Sequence, residues 1–308
     1  MNILLLSPLP PPAGGIATWT KLYLQSDEIK KHKSTLINTA VTGERVKNIN
    51  KKDIKNEITR AKKILFKLRK LLTSQEFDIV HINTSCSKFG LIRDFIYARY
   101  VKHKKVPVII QFHCDTKYMI KDRLSEYLFN KLCRVADELF CLNQSSKQHI
   151  KKLSSCESMI IPNFFNEKQM KNMNRLKHAE QIKDILFVGH VVRAKGCIEI
   201  LKLAEKLPKL KFKLIGYISD GIRKFPIPGN VEFVGEIPKE SVISQMLLAD
   251  VLLFPTYTEG FPNVILEAMA CGLPIIATPV GAIPDMIEDS GGVLVEVGDI
   301  NGMIKAIN

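Results

Sequence analysis

The sequence predicts an α/β protein of two doubly wound domains, and three observations carry that prediction. Short β-branched or Leu-rich runs alternate with helix-period segments along nearly the whole chain, as in parallel sheets assembled from βαβ units. The alternation stops after Pro162 and resumes at Ile185, with a polar stretch rich in Lys and Asn between. Finally, 308 residues at 46% hydrophobic and 25% charged exceed what one core usually organises and are too apolar for disorder.

The first domain is expected over residues 1–164, a linker over 165–183 and the second domain over 184–308. Strands are predicted in the first at 3–7, 34–38, 78–83, 107–113, 138–143 and 159–161, and in the second at 185–189, 212–216, 231–234, 251–255, 275–278 and 293–297. Residues 1–12 could suggest a secretory signal, but no basic residue precedes the apolar part and Pro8, Pro10, Pro11 and Pro12 interrupt it, so a buried strand entering a loop fits better. No apolar run approaches the roughly 20 residues that span a bilayer.

The seven cysteines are odd in number, scattered and without a CxxC pair, which points to a reducing, cytoplasmic compartment. Net charge is +14, and much of it falls between Glu44 and Leu71, where eleven Lys or Arg face three acidic residues. Ile54, Ile58, Ala61, Leu65, Leu68 and Leu72 recur through that run at helical spacing, which makes it one basic amphipathic helix. Such a helix is either a solvated lysine face over a core stripe or, through residues 44–72, a contact for an anionic membrane surface. Nucleic acid ranks lower as a partner, because aromatic residues make up only 7% of the chain.

In doubly wound sheets ligands sit beyond the carboxyl ends of the strands. Those positions here hold Gly14 and Gly15, His113, the 189–196 loop, Gly216 and the 258–263 loop. The densest cluster runs from Phe254 to Pro274: a strand enters a loop with Gly260 and Phe261, and a helix starts near Pro262 or Asn263, followed by Val264. A helix start of this kind suits a diphosphate. Glu259 in the loop and Glu267 just over one turn into the helix are two carboxylates able to accept hydrogen bonds from sugar and ribose hydroxyls.

This pattern resembles the E-x7-E element of glycosyltransferase family 4. The 189–196 stretch, GHVVRAKG, is similar to the family's G-R-x-x-x-x-K-G loop, with His190 in place of the arginine and Arg193 as a candidate substitute. The 7–16 stretch is similar to the family's opening strand and glycine loop, and His113 stands where the histidine of H-G-x-D does, with Cys114 replacing the glycine. His81 and Asn163 also match the pattern and read as structural.

The resemblance implies a GT-B fold, two Rossmann-like domains facing a cleft, and a retaining enzyme that moves a sugar from a nucleoside-diphosphate sugar to a saccharide or lipid-linked acceptor. It implies His113, Lys195 and Glu259 as catalytic, and Gly14, Gly15, His190, Arg193, Lys195, Gly216, Glu259, Gly260, Phe261, Pro262, Asn263, Val264 and Glu267 as donor-binding. Base selection is expected in the loops after Gly216 and around Glu236 to Lys239. No cofactor is expected, and since the chain has no Asp-x-Asp and no metal-ligand cluster, no metal either. The setting implied is bacterial surface polysaccharide synthesis at the inner face of the plasma membrane. Family members continue beyond the region matching Gly298-Asp299 with further helices, so a truncated chain with an incomplete second domain is expected. Two other readings stay open: a nonhydrolysing sugar-nucleotide epimerase, and a noncatalytic nucleotide-sugar-binding or membrane-associated subunit of the same fold.

Overall fold

The computed structural model describes residues 1–11, 14–40, 54–165, 181–287 and 292–308. It divides into two compact units, Met1–Asn163 and Phe164–Asn308. Residues 44–53 of the basic segment and 166–180 of the expected linker lie outside the described residues.

The first unit holds a six-stranded sheet of β1 (Asn2–Ser7), β2 (Lys33–Asn38), β3 (Ile79–Thr84), β4 (Val108–Phe112), β5 (Glu138–Cys141) and β6 (Met159–Ile160) in the order β2-β1-β3-β4-β5-β6. The second holds β7 (Asp184–Val188), β8 (Lys211–Ile215), β9 (Val231–Gly235), β10 (Val251–Phe254), β11 (Ile275–Ala277) and β12 (Val293–Leu294) in the order β12-β11-β10-β7-β8-β9. Every pairing is parallel. Each strand falls where the sequence predicts it, within one or two residues except at β12, which ends at Leu294, three residues early.

Burial explains why the strands were legible. Leu4, Leu5 and Leu6 of β1 and Leu252 and Leu253 of β10 are at most 1% exposed, because helices cover both faces of a parallel sheet and a central strand is apolar throughout. Each such side chain contributes roughly 1.5–3 kcal/mol. Helix starts are capped by short polar side chains: Ser87 accepts from Gly90 N at 3.2 Å, Asp122 from Ser125 N at 3.2 Å and Asn143 from Ser146 N at 2.8 Å. Asp250, just ahead of β10, accepts from Lys183 N and Asp184 N at 2.8 Å each, which fixes where β7 begins.

The basic segment forms a helix, Ile54–Ser74, but its buried stripe differs from the expected one. Ile64 and Leu68 are buried, whereas Ile54 and Ile58 are 65% and 42% exposed. Ile54 is the first residue of the helix and Ile58 sits at the stripe's edge. Phe66, roughly 200° around the helix from Ile64, is 71% exposed. No helix among the described residues is long and apolar enough to cross a membrane.

Candidate functional site

Each sheet has a point where successive connections leave in opposite directions. In the second sheet the chain passes from β7 to β8 and β9, then returns to the other side of β7 as β10. In doubly wound sheets such a point, here beyond the carboxyl ends of β7 and β10, is where ligands sit. The loop after β7 tightens into a 3-10 turn, Arg193–Lys195, ahead of the helix Cys197–Lys206. The loop after β10 leads to the helix Asn263–Ala270, whose start carries no side-chain cap.

Two lysine–carboxylate pairs form among the loops and helices that follow the strands of this sheet. Lys195 Nζ donates to Glu259 Oε1, with the two side chains only 25% and 13% exposed. Burial pushes the Glu259 carboxyl above its ordinary range, while Lys195 and a hydrogen bond from Thr256 pull it down. Lys239 Nζ stands 3.1 Å from Glu267 Oε1, and Glu267 is 13% exposed. Lys239 opens the helix Lys239–Leu248 that follows β9, and its ammonium also lies 5.2 Å from the centroid of the Phe165 ring.

The loops are held by backbone contacts. Tyr257 N donates to Ala194 O at 3.0 Å, and Ala282 N donates to Gly260 O at 3.0 Å. Gly281 has φ +59°, and a Cβ there would lie 2.0 Å from the Glu259 carbonyl oxygen, so a glycine lets the next loop press against Glu259. Gly216 has φ +132°, and its Cβ would lie 2.1 Å from Gly189 O. That close packing of the β7 and β8 ends is itself a reason for glycine there.

The other predicted residues of this unit are more peripheral. His190 is exposed with its ring 6.1 Å from that of Tyr217, and the Arg193 guanidinium lies 5.0 Å from the Phe225 ring centroid. Phe261 and Val264 are half-buried and Pro262 is buried; the three flank or open the Glu267 helix beside Asn263.

In the first sheet the switch point lies between β1 and β3. Beyond β1, Gly14 and Gly15 open the helix Gly15–Gln25. His113 follows β4, with its ring 5.0 Å edge-on to that of Trp19, and its Nε2 is buried without a partner among the described residues. Burial and then the neighbouring His81 lower its pKa to about 3, so the imidazole is neutral. His81 belongs to the body of β3 rather than the strand end, is 5% exposed, and is lowered by burial to about 4. Trp19 stacks on Tyr23 at 4.7 Å and meets His81 edge-on at 5.7 Å.

Sequence reasoning missed Lys239 as the partner of Glu267. The two residues are 28 apart in sequence and no local pattern joins them. It also missed Arg60, Asn83 and Arg93 around the first switch point, which come from three separate elements.

Comparison with known proteins agrees with this architecture. Residues 30–169 match the family described as Glycosyltransferase Family 4, and residues 168–308 match Glycosyl transferases group 1. The chain is 26% identical over 249 residues to an uncharacterized glycosyltransferase, MJ1178, of Methanocaldococcus jannaschii, covering 78% of this chain and 67% of that one. It is 27% identical over 191 residues to the putative teichuronic acid biosynthesis glycosyltransferase TuaC of Bacillus subtilis, covering 58% of this chain but only 48% of that protein. Its fold matches Anabaena HepE, solved with UDP-glucose, at a TM-score of 0.71 and 17% identity over 100% of this chain and 89% of that one. The chain belongs to the GT4-like glycosyltransferases of GT-B fold.

Proposed function

We propose that the chain transfers a sugar from a nucleoside-diphosphate sugar, with retention of configuration, to a saccharide or lipid-linked acceptor in bacterial surface polysaccharide synthesis. The observation that carries this reading is the Lys195–Glu259 pair at the β7/β10 switch point, beside the uncapped helix that bears Glu267. In it, Lys195 turns from Glu259 to the donor diphosphate, Glu259 accepts from hydroxyls of the transferred sugar, and Glu267 accepts from the ribose. The bond between the anomeric carbon and the diphosphate oxygen breaks. The acceptor hydroxyl oxygen bonds that carbon from the same face, and its proton passes to the departing diphosphate. Lys195 and the helix start offset the charge that develops, with no metal required. His190, Arg193, Gly216, Gly260, Phe261, Pro262, Asn263 and Val264 complete the donor surroundings in the second unit. HepE, crystallised with UDP-glucose, and the teichuronic acid relative support the donor class and the polysaccharide setting.

The test is calorimetric binding and transfer assays with UDP, GDP, ADP and their sugar conjugates, with and without EDTA. Selective, EDTA-insensitive binding of one nucleotide is expected, weakened by Glu267→Gln, while Glu259→Gln chiefly lowers kcat. Transfer at the wild-type rate by both variants overturns the reading.

A further inference from the structure

The first switch point holds a cavity that the donor chemistry leaves unexplained. It measures about 390 Å³, and its walls include Gly14, Gly15, Arg60, Asn83, Ser87 and Arg93. Four observations bear on what fills it.

Two arginines line it, and both are largely withdrawn from solvent, Arg60 at 21% and Arg93 at 12% side-chain exposure. Arg60 pairs with Glu57, and Arg93 pairs with Asp94 and also feels the charge of Glu57, but these carboxylates do not exhaust the five donors of each guanidinium. Arg93 Nε donates to Asp94 Oδ1 at 2.7 Å, and its two terminal nitrogens have no partner among the described residues. Arg60 donates to Glu57 and to the Thr39 carbonyl, while its buried Nε has no partner among them.

Asn83 is 3% exposed and lines the cavity; its Nδ2 donates to Ser7 Oγ at 2.8 Å, but its Oδ1 is buried without a partner among the described residues. A buried acceptor of this kind is completed by a ligand hydroxyl or a water.

The helix Gly15–Gln25 starts at the same cavity with no side-chain cap. Its first turn offers amide N–H groups and the positive end of the helix dipole.

Neither glycine is demanded by the fold. Gly14 has φ 176°, extended backbone open to any residue, and a Cβ built on Gly14 or Gly15 meets nothing within 4 Å. The space those side chains would fill is part of the cavity.

The geometry points to an oxyanion site here, at which Arg60, Arg93 and the first turn of the Gly15–Gln25 helix bind a phosphate or carboxylate carried by the acceptor. Asn83 Oδ1 accepts from an adjacent acceptor hydroxyl. The terminal nitrogens of Arg93, the remaining N–H groups of the Arg60 terminal nitrogens and a helix N-terminus are complementary to such a group. The acceptor is therefore an anionic saccharide or saccharide carrier rather than a neutral sugar. That role rests on the transferase reading above; anion binding itself does not.

The test is calorimetric titration of the full chain, with saturating UDP occupying the donor site, by inorganic phosphate, glucose 6-phosphate, glucuronate and glucose. Phosphate and the charged sugars bind and glucose does not, and the ratio of phosphate to carboxylate affinities tells which group the site takes. Gly14→Asp provides the decisive variant. An Asp at that position caps the helix and holds or raises Tm, yet it puts a negative charge in the cavity, so anion affinity falls by roughly tenfold or more. The charge-neutral pair Arg60→Gln with Glu57→Gln weakens binding similarly without leaving Glu57 unpaired, whereas Lys195→Ala leaves it unchanged. Absence of anion binding, or binding that survives both first-unit variants and disappears with Lys195, overturns the proposal. Failure of UDP to bind counts against the donor assignment alone, since the anion titration is read equally well without it.

Discussion

At Glu259 burial and Lys195 act on one carboxylate in opposite directions, with burial the larger influence. Because its pKa is raised, Glu259 takes up a proton at milder acidity than a free glutamate, and one of its oxygens then donates instead of accepting from sugar hydroxyls. Removing the ammonium removes a lowering influence. Lys195→Ala is therefore expected to shift the acid limb of kcat/KM to higher pH and to cost roughly a hundredfold to a thousandfold in rate; an unmoved limb refutes the coupling. His81 gives the opposite kind of test, on stability. Its imidazole titrates near 6.5 when unfolded and about 4 when folded, so the unfolded state binds more protons between those values. The stability it contributes is complete above pH 6.5 and is lost as pH falls from there toward 4, with a slope approaching about 1.4 kcal/mol per pH unit. Urea unfolding at stepped pH is expected to show this dependence, and His81→Gln to remove its share while that of His113 remains.

Among the elements, the Ile54–Ser74 helix has two faces with different duties. One packs Ile64 and Leu68 into the core, and the other sets Phe66 among exposed Lys62, Lys63, Lys67 and Lys70. On the helix the only acidic residue is Glu57, which pairs with Arg60, so nothing acidic opposes that lysine face from within the helix. An exposed aromatic ringed by lysines suits an anionic leaflet, with the ring entering the acyl boundary and the ammonium groups at the headgroups. Co-sedimentation is expected with phosphatidylglycerol vesicles and not with phosphatidylcholine vesicles. Phe66→Ala should weaken it while leaving donor binding intact; full retention by the variant removes Phe66 from the contact. The basic character of this helix was legible in the sequence. Which apolar residues faced inward was not, because Ile54 and Ile58 fit the helical period yet are largely exposed among the described residues.

For the molecule as a whole, two units with separate cores mean that ligand effects are readable region by region. If the donor binds the second unit as proposed, UDP should slow hydrogen exchange most in residues 184–196 and 251–270, where β7, β10 and their loops form the switch point. Protection spread evenly over the chain contradicts that placement. The strands and the two-domain plan could be read from the sequence because parallel strands covered on both faces are largely apolar, a local property. That Lys195 and Glu259 lie in loops beyond strands and Glu267 on the helix that follows was also legible, since each sits in a short motif. Tertiary structure alone decided what those residues touch: Lys239 reaches Glu267, Gly281 presses on Glu259, and Arg60, Asn83 and Arg93 converge on one cavity. These pairings join residues from different βαβ units, and strand order, which sets the units' neighbours, is fixed by packing across the sheet rather than by any pattern along the chain.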